Sequence, residues 1–265
     1  MLHNLASLVR YRGLVSSLVA RELKARYRGS VLGFVWSFIN PLLLLLIYSF
    51  VFTTIMPNET VGVQPYAVFM FCGILPWNWF STSLSDAAGS LLAGGNLIKK
   101  VLFPAEVLPL VSVLANMVHF FLGFPILLVF LIASGHTPHL TALLWFPLIV
   151  AVQLLFASSL ALMLAALTVH FRDIRDILAN VLMLWFFATP IIYPWFQPNV
   201  QRFRWLFNIN PFTHLAVSYQ EVLFFVNGPF GHWKWLVALG GFSILLFLAC
   251  YWLFDRLRDS FAEAV

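Results

Sequence analysis

Charge is what this sequence has least of. Only 9% of its 265 residues are Asp, Glu, Lys or Arg, while 62% are hydrophobic. Soluble globular domains carry about 25% charged residues and about 45–50% apolar ones. The chain therefore cannot coat a water-facing surface, and composition marks it as an integral membrane protein. Cysteine is almost absent. Cys72 and Cys250 both lie in apolar runs, which excludes a disulfide framework or a paired-cysteine zinc site and leaves both as small packing residues. Acids are scarcer than bases, ten against fifteen, giving a net charge of +5. In a soluble chain that excess would suggest nucleic acid. Here the cations sit in a few short segments, so membrane topology explains them and no nucleic-acid partner is expected.

Catalytic motifs are missing as well. There is no phosphate loop of the form G-x-x-x-x-G-K-[ST], no H-E-x-x-H and no G-x-S-x-G elbow. The seven histidines are scattered. His136 and His139 are three apart, but Pro138 stands between them without nearby acids, which argues against a metal site. His119 alone lies deep in an apolar run, where a hydrogen bond within helix packing is a better reading than a proton relay. No catalytic residue, metal ligand or cofactor is assigned to this chain. Ion-coupled carriers place ionised groups near the midplane; the acids near spans, Asp86, Glu106 and Glu221, all fall near span ends. Uphill transport would then draw its energy from a partner.

What is present is a set of long charge-free stretches. No Asp, Glu, Lys or Arg occurs between Arg28 and Glu59, between Glu59 and Asp86, or between Glu106 and Arg172. The last is too long for one span, and Ser134-Gly135-His136-Thr137-Pro138-His139 supplies a turn that divides it in two. A spanning helix takes about 20 residues at 1.5 Å each. Six spans are expected, near 31–55, 65–90, 107–133, 142–169, 177–196 and 234–254. The segment Trp205–Val226 is long enough to be a seventh, but Asn208, Asn210-Pro211, His214 and Glu221 interrupt it. Asn-Pro breaks a helix and Glu is costly in lipid, so two short re-entrant or interfacial helices suit it better. With six spans, twelve of the fifteen Lys and Arg fall on one side, which makes both termini cytoplasmic; a seventh span would weaken that asymmetry. No cleavable signal peptide is expected.

Residues 4–28 read as an amphipathic helix. Leu5, Leu8, Val9, Val15, Leu18 and Val19 recur at helical spacing, and Ser17, Arg21, Lys24 and Arg28 form a polar stripe. Such a helix suits the cytoplasmic interface with anionic lipid; plain orientation signalling by the cations is the alternative. Aromatics reach 17%. Trp36, Phe38, Tyr48 and Phe52 fall in the first expected span, and Trp185, Phe186, Phe187 and Tyr193 in the fifth. Aromatic faces pack on sugar rings without one fixed hydrogen-bond pattern, as a glycan conduit requires; lipid-facing or core packing is the other reading for each. The loops Gly94–Glu106 and Arg172-Asp173-Ile174-Arg175-Asp176 are either solvated turns or docking knobs for a cytoplasmic subunit.

One block stands out: Arg21-Glu22-Leu23-Lys24-Ala25-Arg26-Tyr27-Arg28-Gly29-Ser30-Val31-Leu32-Gly33-Phe34-Val35-Trp36, followed by Asn40-Pro41. Gly73-Ile74-Leu75-Pro76-Trp77 with Phe80-Ser81, then Phe171-Arg172-Asp173-Ile174, then Asn210-Pro211 extend the pattern along the chain. In this order they resemble the membrane subunit of type-2 ABC exporters, specifically polysaccharide permeases, and O-antigen exporters more than capsule or teichoic-acid exporters. The resemblance implies an all-α integral membrane fold in one transmembrane domain over 1–265. Its parts would be an interface helix (1–28), spans one to five (31–196), two short periplasmic re-entrant helices (197–233), and a last span with a cytoplasmic tail (234–265). It implies a homodimer in a bacterial inner membrane, paired with two copies of a separate ATPase subunit that holds the ATP and Mg²⁺. Spans one and five would line the channel, where the eight aromatics fall. A coupling helix would lie near Gly95–Phe103, with Gly95, Asn96, Lys99, Lys100 and Phe103 as its contact residues. Arg21, Lys24, Arg26 and Arg28 would attract the diphosphate of a lipid-linked glycan, since Lys and Arg are natural phosphate partners. The alternatives are an ABC permease for another cargo (capsular polysaccharide, teichoic acid, lipid or drug) or a membrane glycan-processing enzyme. The enzyme needs polar catalytic groups in or beside a span, and those are nearly missing.

Overall fold

The computed structural model describes residues 11–55, 63–99, 103–137, 140–225 and 230–264, and among them every regular element is helical. The order is α1 (Arg12–Arg26), a 3₁₀ turn (Gly33–Val35), α2 (Trp36–Phe50, continued as a π-helix over Val51–Ile55), α3 (Tyr66–Ala93) and α4 (Gly95–Ile98). Then follow α5 (Val107–Ala133), α6 (Leu140–Leu143), α7 (Phe146–His170), α8 (Ile174–Phe187), α9 (Pro198–Gln201), α10 (Arg204–Ile209), α11 (Pro211–Leu223) and α12 (Trp233–Ala264). The first residues of the expected interface helix, 4–10, lie outside the described residues.

Among the described residues, four helices are long and apolar enough to cross a membrane: Gly33–Ile55, Val107–Ala133, Thr141–His170 and Trp233–Arg258. They coincide with four of the six expected spans. Helix α3 covers the expected span at 65–90. Its 28 residues reach about 42 Å at 1.5 Å per residue, ample for a bilayer, but from its middle onward it carries Asn78, Ser81, Thr82, Ser83, Ser85 and Asp86. The expected span at 177–196 differs most. Its helix is α8, only 14 residues, about 21 Å, and it stops at Phe187. Thr189 precedes Pro190, and a residue before proline is pushed out of the helical region. Tyr193 therefore sits beyond the helix in the following turn rather than within a span.

Helix α3 is the axis of the molecule. From Tyr66 to Trp77 every one of its residues is buried. Helices α5 and α7 pack along it, α12 packs along α7, and α2 and α8 flank it. Several interior donors find partners, as a low-dielectric interior favours: Gln153 Nε2 donates to Pro76 O at 2.8 Å, Trp79 Nε1 to Val113 O at 3.1 Å and Gln220 Nε2 to Pro190 O at 3.0 Å. At Gly123 a Cβ would lie 2.8 Å from Leu75 Cδ1 and 3.5 Å from Pro41 Cβ, so the lack of a side chain lets α2, α3 and α5 meet closely. Gly135, at φ 81°, ends α5 at the anticipated turn. The exterior is apolar: Ile47 and Phe50 on α2, Met183 and Leu184 on α8, and Leu245 on α12 are all exposed.

The segment Trp205–Val226 holds two short helices, α10 and α11, divided at Asn210-Pro211, with the single turn α9 ahead of them. The longer, α11, is buried in the core. Phe212 through Gln220 are all buried, and α11 packs on α3, α7 and α12. The carboxylate that made this segment look awkward is satisfied locally. Glu221 Oε2 accepts from the backbone N–H of Gly231 and of His232, both at 3.0 Å.

Candidate functional site

Helix α1 is held against the start of α5 by Leu18, which is buried with Val107 and Val111, while Leu14, Val15 and Val19 pack around them. Arg21, Lys24, Arg26 and Arg28 are exposed. They are not equivalent. Arg26 Nη2 donates to Asp86 Oδ2 at 2.6 Å and Nη1 to Asn116 Oδ1 at 2.9 Å, while Asn116 Nδ2 closes the triangle on Asp86 Oδ2 at 2.8 Å. Next to it Tyr27 and Ser37 share a 2.6 Å hydrogen bond, and Ser37 Oγ lies 3.3 Å from His119 Nδ1. These groups line a cavity of about 350 Å³ together with Asn40, Trp79 and Phe120. Arg21 instead borders a separate cleft of about 500 Å³ with Glu22, Asp86 and Arg175. Thus Arg26 is held by a carboxylate, and Arg21, Lys24 and Arg28 make no ion pair among the described residues.

The Arg26–Asp86 pair is partly exposed, 30% and 40%. Asp86→Asn is therefore expected to cost no more than about 1 kcal/mol of stability. Asp86→Arg, which sets two guanidinium groups side by side, should cost more, and adding Arg26→Asp should recover part of the loss. Melting temperatures of the four proteins check this; a double variant no better than Asp86→Arg alone would refute the pairing.

The expected coupling segment is a single helical turn, α4, among the described residues. Glycine at 94 and 95 weakens helix formation, and Pro104 excludes helix at the residue before it. Gly95 is buried, Asn96 and Lys99 are exposed, and Phe103 is half-buried; Lys100 lies outside the described residues. Leu97, Ile98 and Phe103 pack against a cluster that includes Leu91, Ala105, Tyr251, Phe254 and Phe261. Glu106, buried at the start of α5, has its Oε2 3.8 Å from Arg258 Nη2. The loop is thereby tied to the end of α12.

The eight aromatics divide into two groups. Trp185 stands edge-on to Phe80 at 5.3 Å and near Trp77 at 6.3 Å, and Phe186 lies 5.7 Å from Trp77. Tyr48 and Phe52 continue toward Tyr66, with Phe52 and Tyr66 5.1 Å apart. Trp36 is half-buried. Tyr193 is fixed by its hydroxyl, which donates to Phe187 O at 2.8 Å. Only Phe38 and Phe187 turn outward, 38% and 54% exposed.

Asn210, which the sequence marked as a helix breaker and as part of the family pattern, is a hub. Its Oδ1 accepts from Trp185 Nε1 at 2.7 Å and from the backbone N–H of Phe212 at 3.0 Å. Its Nδ2 donates to Ala188 O at 3.0 Å and to Thr189 Oγ1 at 2.9 Å. All four positions of the amide are used, joining the end of α8 to the N-terminus of α11. Nearby, His214 Nε2 lies 3.0 Å from Asn208 O and its Nδ1 lies 3.0 Å from His232 Nε2. Burial, reinforced by the neighbouring His214, pushes His232 down to about 4, so His232 is neutral at pH 7. His232 then donates to His214, and His214 to the carbonyl, which fixes both tautomers.

Residues 13–224 match the family model described as ABC-2 type transporter. The chain belongs to that family. It is 42% identical over 266 residues, covering all of both chains, to "O-antigen export system permease protein RfbA" of Myxococcus xanthus. It is 33% identical over 250 residues, 94% of each chain, to a protein of the same name from Klebsiella pneumoniae. At 22% identity over 211 residues, covering 79% of this chain and 80% of the relative, it is similar to "Polysialic acid transport protein KpsM" of Escherichia coli.

As an ABC-2 permease the protein is membrane-embedded and multi-pass, and membership implies an ABC ATPase partner. Sequence reasoning missed the partners of Arg26, although a signal existed: Asp86 is the one charged residue in the long helix α3, where a charge calls for a partner. Among the described residues no three His, Cys, Asp or Glu side chains gather where they could hold a metal ion. Cys72 and Cys250 are free and buried.

Proposed function

We propose that this ABC-2 permease is the transmembrane subunit of an ATP-driven exporter. It moves a lipid-linked, O-antigen-like polysaccharide from the cytoplasmic to the periplasmic side of a bacterial inner membrane. The observation that carries this reading is the 42% identity, end to end, with an O-antigen export permease. In this reading α3 and α8 complete six spans, both termini are cytoplasmic, and the region of α9 to α11 lies on the outer side. Two copies meet to form the channel, each with one ATPase subunit that binds ATP and Mg²⁺. The exposed apolar faces of α2 and α8 support a second copy as neighbour, because they flank the axis α3 without covering each other. Arg21, Lys24 and Arg28 are the cations left to attract a lipid diphosphate, with Arg26 held on Asp86. The turn at α4, tied to α12 through Phe103 and Glu106, receives the push of the ATPase. The similarity to a polysialic acid transport protein makes a capsular polysaccharide the second cargo to consider.

Proteoliposomes holding the permease and its ATPase test the scheme. Lipid-linked glycan should reach the far side with ATP and remain behind with a non-hydrolysable analogue. Transport at the same rate with both nucleotides would refute it.

A further inference from the structure

Helix α3 changes character at its middle. From Tyr66 to Trp77 every residue is buried, but beyond that Asn78, Thr82, Ser85 and Asp86 are exposed, at the spacing that puts them on one face of a helix. None of the exposed positions between 78 and 86 is apolar. Exposed positions elsewhere carry Ile47, Phe50, Met183, Leu184 and Leu245, as contact with lipid or a second copy requires. Asn78 and Thr82 line the cavity of about 350 Å³ together with Asn40 of α2. Asn40 lies seven residues beyond Gly33 in the long apolar helix Gly33–Ile55, about 10 Å from its start, so this cavity sits at membrane depth. Most polar side chains around it have partners. Arg26 and Asn116 bond Asp86, Tyr27 bonds Ser37, Ser37 lies against His119, and Thr82 Oγ1 donates to the carbonyl of Asn78. Asn40 and Asn78 differ. Both are exposed, and neither amide hydrogen-bonds another described residue.

Those two amides select what covers this face. The hydroxyls of Thr82 and Ser85 are met by carbonyls one turn back in their own helix, an arrangement that tolerates lipid. An unmet amide facing acyl chains is a cost that membrane helices avoid by turning polar groups to water or to a polar ligand. Nothing in the cavity favours a net charge, because the guanidinium of Arg26 is held by Asp86 at 2.6 Å. Each carboxamide offers donors and an acceptor together, which is what a hydroxyl group answers and a phosphate or an ammonium group does not. We propose that Asn40 and Asn78 are cargo contacts, whose amides hydrogen-bond the hydroxyls of an uncharged carbohydrate segment at membrane depth. The polar face of α3 continues from Thr82 through Ser85 and Asp86 to the cleft bordered by Arg21 and Arg175, so one helix face leads from that cleft to the amides. That the segment belongs to a glycan in transit rests on the polysaccharide-export reading; a wetted, hydrogen-bonding face at Asn40 and Asn78 does not.

Two measurements on the full-length permease with its ATPase in proteoliposomes test this. First, Asn40→Cys, Asn78→Cys and the lipid-facing control Leu245→Cys, each in a Cys72→Ala, Cys250→Ala background, are treated with a charged, membrane-impermeant methanethiosulfonate. The first two should react at least tenfold faster than the control. Equal rates would overturn the proposal, because the face would then be covered by lipid or protein. Second, the Asn40→Leu, Asn78→Leu double variant removes both amides at similar side-chain size. It should melt no lower than wild type, since no hydrogen bond among the described residues is lost, yet cut ATP-driven export at least fivefold. The Asn40→Gln, Asn78→Gln variant keeps the amides and should keep most of the export. Unchanged export with leucine, or the same loss with glutamine as with leucine, would overturn the cargo contact. A wild-type complex that exports nothing with ATP would refute the export reading and the cargo contact with it, whatever the thiol rates; export by wild type with slow thiols at both positions would refute the contact alone.

Discussion

Asn210→Ala is expected to lower the stability of the permease by roughly 3–5 kcal/mol, adding a lost helix cap to the loss of its other hydrogen bonds. All four hydrogen bonds of the amide disappear together, and one of the groups left behind, the Thr189 side chain, is buried. Trp185 Nε1 loses its acceptor. The N-terminus of α11 loses its cap. Thr189, whose own hydroxyl hydrogen is committed to Trp185 O at 2.8 Å, loses the donor that met its oxygen. Asn210→Asp should be no better than alanine. It keeps the acceptor oxygen toward Trp185 and Phe212, but turns a second, charged oxygen toward the Ala188 carbonyl and the lone pairs of Thr189. Asn210→Ser keeps a short cap and reaches none of the other partners, so it should fall between. Thermal melting of detergent-solubilised protein, with the monodisperse yield beside it, ranks the variants. A melting temperature within a degree of wild type for Asn210→Ala would sink the assignment of this residue as the joint between α8 and α11.

The same joint shows where the sequence stopped being readable. Charge-free length located Gly33–Ile55, Val107–Ala133, Thr141–His170 and Trp233–Arg258 closely, because hydropathy and span length are local properties. The turn at Ser134-Gly135 was visible for the same reason. What was not local was lost. Asn210-Pro211 announced a break, but that the amide would reach back to Ala188 and Thr189 depends on how α8 ends. That α11 is buried along nearly its whole length depends on α3, α7 and α12 closing around it. His214 and Glu221 looked prohibitive in lipid; in the structure a histidine pair and two backbone N–H groups absorb them. The basic stripe of α1 was legible as a pattern, yet the pattern cannot say which cation is taken. Asp86 and Asn116 take Arg26, 60 and 90 residues away in sequence. Counting aromatics placed eight rings in two helices without telling inward from outward, because half-buried helices carry aromatics on both faces.

That division sets the second large effect. Trp185→Ala is expected to cost about 3–5 kcal/mol, as for other large-to-small changes at packed aromatics. Its ring meets Phe80 and Trp77, and its indole N–H is one of the four bonds of Asn210. Because both residues belong to one network, the Trp185→Ala, Asn210→Ala double variant should lose less than the two single losses combined, by 0.5 kcal/mol or more on the scale seen for coupled neighbours. Strict additivity would mean that the ring and the amide stabilise different parts of the fold. An export defect in Trp185→Ala therefore reports folding before it reports any contact with cargo. Phe38→Ala and Phe187→Ala carry the opposite information. Their rings are exposed, so each should shift stability by no more than about 0.5 kcal/mol, leaving assembly with the ATPase intact. Should the glycan slide over outward aromatic faces, these two variants lose export several-fold in proteoliposomes at unchanged ATPase assembly and melting temperature. Full export by the Phe38→Ala, Phe187→Ala double variant would remove both rings from the cargo path and leave Trp36, Tyr48 and Phe52, half-buried on α2, as the remaining aromatic surface for a sugar to touch.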